Sequence, residues 1–213
     1  VTNIPAYSTD AVAQHTIALM LEISNHAGLH NASVQQGQWF DSKYFCYWNK
    51  PVNLLAGKSL GIIGYGAIGK RVAEIAKALG MTINIFSQDP TGAMKSDFVS
   101  LHCPLTEENK EMVNTEFLVN MKPGAILINT ARGGLVDERA LADAIKAGFI
   151  GGAALDVLSK EPPDADCPLI GIENCIITPH IAWSPKEMRQ AVIDILAENL
   201  KSWLSGGMLN RVD

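Results

Sequence analysis

The sequence predicts an α/β fold, a doubly wound parallel sheet with helices on both faces. Three observations predict it. Short apolar runs and amphipathic stretches alternate along most of the chain. The apolar runs lack the one-on, one-off polarity of strands that face water, so they suit strands covered on both sides. A glycine-rich turn joins the first of these runs to a helix. With 213 residues the chain can bury a sizeable core. Its 47% hydrophobic and 18% charged residues, with no apolar run of about 18, indicate neither disorder nor a membrane span.

The first element is a helix over residues 10–25, DAVAQHTIALMLEISN, where apolar side chains recur at helical spacing after Thr9 and Asp10, both suited to capping. Residues 35–53 are aromatic, rich in turn formers and without period, which reads as an irregular loop. A strand at 60–63 then leads through the glycine turn into a helix over 70–79 that stops at Gly80. Further strands are expected at 82–86, 98–102, 125–129, 152–155 and 175–178, and helices at 115–120, 138–147 and 187–204. One connection breaks the alternation. Between Ser87 and Phe98 the chain is shorter than the dozen or so residues that join parallel strands. The expectation is that residues are missing between about Pro90 and Lys95.

Gly64-Tyr65-Gly66-Ala67-Ile68-Gly69 is a GxGxxG turn in its proper setting, strand before and helix after. The first glycine makes the tight turn, the second lets backbone approach a pyrophosphate, and the third lets helix and strand pack closely. Backbone N–H groups at the helix start then face the anion, aided by the helix dipole. This makes the sheet Rossmann-type. The same fingerprint expects an acid about 20 residues on for the adenosine ribose. That position is Ser87, followed by Gln88 and Asp89. Either Asp89 reaches the ribose or a 2′-phosphate is accepted near Lys95, so NAD is favoured and NADP stays possible.

In open parallel sheets the ligand crevice lies beyond the carboxyl ends of the strands. Arg132, Asp156 and His180 each follow a strand in that position, and Glu161 sits in the loop after Asp156. An arginine fork grips a carboxylate, a histidine exchanges a proton near neutral pH, and a neighbouring carboxylate orients the histidine. Singly, Arg132 reads as a surface ion-pair partner, Glu161 as a solvated loop charge, Asp156 as a turn cap and His180 as a core-edge histidine. Together they share an edge with the nucleotide turn, which favours a reactive set. Cys46, Cys103, Cys167 and Cys175 show no metal-ligand spacing to the five histidines, so no metal site is expected and free thiols in the cytoplasm fit better. A net charge of −5 gives no basic stripe, which argues against a nucleic-acid or anionic-membrane partner. No export signal is visible, but the chain begins at Val1 rather than Met, so the expectation allows for residues missing before Val1.

The motifs VTNIPAYSTDAVAQHTIALML, FCYW, LAGKSLGIIGYGAIGKRVA, SDFVSLHCPLTEENK, MKPGAILINTARGGLVDERAL, AALDVLSKEPP and NCIITPHIAW together resemble the D-isomer-specific 2-hydroxyacid dehydrogenases, with FCYW pointing to the glycerate dehydrogenase or hydroxypyruvate reductase branch. The resemblance implies a hydride transfer between NAD(H) and a small 2-keto or 2-hydroxy acid. Arg132 would bind the substrate carboxylate and polarise the keto group, His180 would protonate the carbonyl oxygen, and Glu161 would hold His180 and favour its protonated form. Asp156 would bind the nicotinamide amide. Ala67 and Ile68 would follow the pyrophosphate, His102, Cys103, Pro104 and Asn109 would line the adenosine side, and Thr130 and Ala131 would face the nicotinamide. The resemblance also implies a homodimer through the first helix and residues 39–48. Residues 1–7 would end a second, flavodoxin-like substrate lobe of which only remnants are present. Residues 8–184 would form the dinucleotide-binding domain, and residues 185–213 a helix returning to that lobe. A non-catalytic NAD(H)-sensing protein, like the corepressors related to these enzymes, is the alternative, as is a family member acting on another 2-keto acid.

Overall fold

The computed structural model describes every residue of the chain except Ala6, which falls within the expected segment 1–7. Six parallel strands, β1 (Ser59–Ile63), β2 (Thr82–Ile85), β3 (Phe98–Leu101), β4 (Ile126–Asn129), β5 (Gly152–Leu155) and β6 (Cys175–Ile177), form one sheet in the order β2-β1-β3-β4-β5-β6. The α-helices among the described residues are α1 (Thr9–Asn25), α2 (Ala27–Gln35), α3 (Ala67–Ala78), α4 (Pro90–Met94), α5 (Thr115–Asn120), α6 (Glu138–Lys146) and α7 (Lys186–Leu204). The strand order reverses between β1 and β3. A crevice therefore opens beyond their carboxyl ends, where the glycine turn follows β1.

Alternate residues on each strand feed two separate cores, as the period-two geometry of a strand requires. On one face Leu60 and Ile62 of β1, Ile128 of β4 and Ala154 of β5 meet Ala13, Ile17 and Met20 of α1 and Val72, Ala73 and Ala76 of α3. On the other, Val99 and Leu101, Leu127, and Ala153 and Leu155 meet Phe117 and Leu118 of α5 and Leu141, Ala142 and Ile145 of α6. That double burial explains why the strands read as unbroken apolar runs.

Several expectations from sequence need correction. Thr9 and Asp10 lie inside α1, whose cap position is Ser8, and Asp10 instead bonds Arg71 of α3 at 2.8 Å. α1 ends where His26 turns left-handed at φ 50°, and the chain re-enters a helix, α2, that periodicity does not reveal because only Ser33 in it is buried. α3 starts three residues early, directly from the glycine turn. The connection after β2 holds a short helix that the sequence did not reveal. The chain runs from Asp89 to Asp97 through α4, a helix of 5 residues whose Asp89 cap accepts from Gly92 N–H at 2.9 Å. So short a crossover works because α4 lies directly on β1 at Gly61, where a Cβ would collide with the Ala93 carbonyl.

α7 stands largely outside this body, with Asn199 its only buried residue and Ile193, Leu196, Leu200 and Trp203 exposed on it. Asn199 bonds the Asn3 carbonyl at 3.0 Å and accepts from Asn210 at 2.9 Å. Thr2 and Arg211 form an antiparallel bridge, so both ends of the chain meet beside α7. No helix among the described residues is long and apolar enough to cross a membrane.

At the opposite end of the sheet, β1 and β3 are clasped by one carboxylate. Asp97 accepts from the N–H and O–H of Ser59 at 2.9 and 2.8 Å and from Lys122 at 2.7 Å. Burial alone would raise its pKa, but the bonds from Lys122 and Ser59 more than reverse this and hold it at about 2. Because the folded value is depressed, the stability this clasp confers is present above the ordinary carboxylate value and is lost as pH falls through about 2. Asp97→Asn is expected to lower the unfolding free energy at pH 7 by about 1–3 kcal/mol. Urea titrations in the acid range should show the gap between variant and parent closing as pH drops below about 4.

Candidate active site

The crevice at the strand-order reversal holds a cleft of about 450 Å³. Ile68 from the start of α3 lines it, as do His102, Cys103 and Pro104 after β3, Thr130, Ala131 and Arg132 after β4, and Asp156 and His180 after β5 and β6. Nine of the residues expected from sequence are thus brought together. Tyr7, Ser8 and Val12 from the start of α1, with Ala182 and Trp183, complete the wall and were not foreseen. Sequence spacing carries no signal for Tyr7, Ser8 and Val12, which sit far from any strand end in the chain, whereas Ala182 and Trp183 follow β6 closely.

The glycine turn fits a dinucleotide on three counts. Gly64 is left-handed at φ 98° and packs so closely on the His102–Cys103 backbone that a Cβ would clash there. A Cβ at Gly69 would strike the Gly64 carbonyl, whereas one at Gly66 would meet nothing within 4 Å, leaving the open approach a pyrophosphate needs. Of the helices that follow strands β1 to β4, α4, α5 and α6 are capped by the side chains of Asp89, Asn114 and Asp137, while α3 has Gly66 as its cap and no capping side chain. The N–H groups at Ala67 and Ile68 therefore have no capping side chain, and Ile68 lines the cleft, an arrangement suited to an anion.

Two expected cofactor contacts lie elsewhere. Ser87 is exposed beyond β2 and Asp89 is engaged as the cap of α4, so neither lines the cleft. Asn109 folds back into its own loop, accepting from Thr106 N–H at 2.7 Å and donating to the Pro104 carbonyl at 2.8 Å. It braces the His102–Pro104 turn instead of presenting a free amide.

The reactive groups are held by neighbours that the sequence did not advertise. Asn129, buried at the end of β4, donates to the Arg132 carbonyl at 2.9 Å and accepts from Ala131 N–H at 3.0 Å, which folds the turn that carries Arg132. Gly133 then packs against the Leu158 backbone, where a Cβ would overlap the carbonyl, so the Arg132 turn and the Glu161 loop touch. Glu161 divides its oxygens. Oε1 accepts from Leu158 N–H at 2.9 Å and Oε2 meets His180 Nδ1 at 2.6 Å. His180 Nε2 has no partner among the described residues, and the ring lines the same cleft as Arg132. Arg132 is exposed, with Nη1 resting on the Ala131 carbonyl at 2.6 Å, so its guanidinium keeps donors for a ligand.

Asp156, which lines the cleft, also organises the loop that carries His180. Its carboxylate is 1% exposed and accepts from the Thr178 hydroxyl at 2.5 Å, from Ile181 N–H at 2.9 Å and from Ala182 N–H at 2.8 Å. Its own carbonyl accepts from His180 N–H at 2.8 Å. The loop that carries His180 is wrapped around this one side chain. Burial pushes the Asp156 carboxyl up, but the bonds from His15, Thr178, Ala182 and Ile181 outweigh it and leave the carboxyl below its ordinary value. His102 lies beneath the cleft, its Nε2 on Ser100 at 2.9 Å, and burial lowers its pKa to about 4, so its ring is neutral at physiological pH.

These features define a dinucleotide-dependent oxidoreductase domain, with a nucleotide turn and an acid–base pair at one sheet edge. The model of the D-isomer specific 2-hydroxyacid dehydrogenase NAD binding domain matches residues 17–182. A hydroxypyruvate reductase of Blautia hydrogenotrophica is 43% identical over 228 residues, covering 100% of this chain and 71% of its own length. A glycerate dehydrogenase of Methylorubrum extorquens is 44% identical over 228 residues, with the same 100% and 71% coverage. Among solved structures, an NADPH-dependent glyoxylate/hydroxypyruvate reductase from Sinorhizobium meliloti, in complex with NADP and malonate, is similar with a TM-score of 0.88 and 30% identity over 100% of this chain and 70% of that one. The chain belongs to the D-isomer specific 2-hydroxyacid dehydrogenase family and is an NAD-dependent oxidoreductase. Alignments of 228 residues against a chain of 213 mean that these relatives carry internal residues this chain lacks.

Asp156→Asn would set an amide N–H against one of the three donors now accepted by the carboxylate. It is expected to loosen the 178–183 loop, raising the hydrogen-exchange rates of the Ile181 and Ala182 amides by about 10-fold or more while the β1 and β4 amides keep their protection. NMR-detected exchange is the measurement.

Proposed function

We propose that the protein reduces a small 2-keto acid to the D-2-hydroxy acid, hydroxypyruvate or glyoxylate first among them, with Arg132, Glu161 and His180 as the working side chains. The observation that carries this reading is the 2.6 Å Glu161–His180 pair, whose free Nε2 shares a cleft with Arg132 and with the start of α3. Nicotinamide, when bound, supplies the hydride. Arg132 grips the substrate carboxylate and draws electron density from the keto oxygen. As negative charge builds on that oxygen, His180 Nε2 delivers a proton to it, and Glu161 fixes the ring and offsets the charge of the imidazolium. Both interactions strengthen as the oxyanion forms, so they lower the barrier more than they tighten ground-state binding.

Arg132 is the only Lys or Arg among the described cleft residues, which matches a substrate with one carboxylate and no phosphate. Ser87, and Asp89 turned into α4, leave no acid dedicated to the ribose, and exposed Lys95 is the nearby cation. NAD remains the proposed physiological cofactor, with NADP as an alternative. Residues 8–184 constitute the dinucleotide-binding unit in this reading, and the paired chain ends with α7 form the seat of a substrate lobe. A homodimer would cover the exposed aromatics Trp39, Phe40, Tyr44, Phe45 and Trp48 of the loop after α2. The four free cysteines accord with a cytoplasmic site.

His180→Ala should lower kcat for hydroxypyruvate reduction by roughly 10²- to 10⁴-fold with the Kd for NADH little changed. Steady-state assays with hydroxypyruvate, glyoxylate and pyruvate, run with NADH and NADPH, provide the check. Parent protein that binds NADH yet turns over none of these acids would point to an NAD(H)-sensing role instead.

A further inference from the structure

The catalytic loops after β4 and β6 both rest on α1 through two consecutive side chains. His15 Nε2 lies 3.0 Å from Thr178 Oγ1 and 3.4 Å from Asp156 Oδ1, across 163 residues of sequence in the first case. The proton positions follow by elimination. Asp156 Oδ1 is an acceptor, so the Thr178 hydroxyl spends its one proton there, at 2.5 Å. Thr178 Oγ1 can then only accept from His15, which places a proton on Nε2 and makes His15 a donor to the Thr178–Asp156 pair. One residue on, Thr16 Oγ1 donates to the Val12 carbonyl at 2.8 Å, so its 2.9 Å contact with Thr130 Oγ1 is a bond that Thr130 donates. Thr16 is 0% exposed and Thr130 7% exposed, so water offers no substitute for either bond.

We infer that His15 and Thr16 are positioning residues for the reaction, acting from α1 without lining the cleft. His15 secures Thr178 and Asp156, around whose carboxylate the His180 loop is wrapped. Thr16 secures Thr130, two residues before Arg132. The need for an external anchor is visible in the backbone, since His180 sits at φ 54°, a left-handed conformation that a histidine adopts only when its surroundings impose it. The two loops belong to strands separated in the sheet by β5, and among the described residues no side chain of one bonds directly to a side chain of the other. α1 is the rigid element common to both. It is a helix of 17 residues packed on α3, so the same element also relates the acid–base pair to the nucleotide turn.

This rests on the reading of His180 and Arg132 as the reacting groups, and the test separates the two. The substitutions are His15→Ala, His15→Gln and Thr16→Val, each in the full chain. The readouts are kcat and KM for hydroxypyruvate, the Kd for NADH by tryptophan fluorescence, and the NMR pH titration of the His180 ring in the absence of substrate. His180 is faced by Glu161, Arg132, Asp156 and His102, all unaltered in these variants. His15→Ala should lower kcat by about 10- to 100-fold, as small misplacements of reacting groups do, and displace the His180 titration, with the NADH Kd within about 2-fold of the parent. Gln, whose amide nitrogen can donate where Nε2 did, should recover most of the loss. Thr16→Val should act mainly on KM, through Arg132. Parent-like kcat and an unmoved His180 titration in His15→Ala would overturn the inference, as would loss of NADH binding in step with activity, because α1 would then serve folding alone. Failure of the functional reading looks different, since His180→Ala would then retain full turnover.

Discussion

The reactive end of this molecule depends on the burial of one charge. Asp156 is a carboxylate taken out of water, and a carboxylate in that position is tolerable only if donors surround it. The donors come from a hydroxyl, two backbone amides and the neighbourhood of an imidazole. Satisfying them dictates the path of the chain from Thr178 to Ala182, and with it the direction of His180. The histidine itself is half exposed and makes one side-chain bond, so its own contacts would not hold it. Its precision is borrowed from the residue underneath.

The division between legible and illegible parts of the structure follows the range of the forces involved. β1, β3, β4 and β5 were readable because both their faces are dry, and α5, α6 and α7 because their periodicity is local. α2 escaped because its sequence, AGLHNASVQ, has no apolar stripe to bury. α4 escaped because a helix of 5 residues has no period to detect, and its place is dictated by the absent side chain of Gly61 in another element. The glycine turn, Arg132, Glu161 and His180 stood out by residue type at strand ends. Asn129, His15 and Thr16 did not, although each is a polar residue within an apolar pattern. Their partners, in the last two cases, are more than a hundred residues away, which no spacing rule reaches.

The acidic side chains at the two ends of the sheet serve opposite purposes. Asp97 clasps β1 to β3 at the amino ends, far from any chemistry, and its bonds are spent on register. Glu161, at the carboxyl ends, keeps one oxygen for backbone and one for His180. The fold thus separates a stabilising edge from a working edge, as open parallel sheets commonly do.

β2 is the outermost strand on one side of the sheet. An unpaired border of backbone donors and acceptors normally invites a foreign strand to add to it. Here the border is only 4 residues long, and Asn84 within it is tied to the Gly92 carbonyl and to Ser96. What remains free is a short template for intermolecular β-addition.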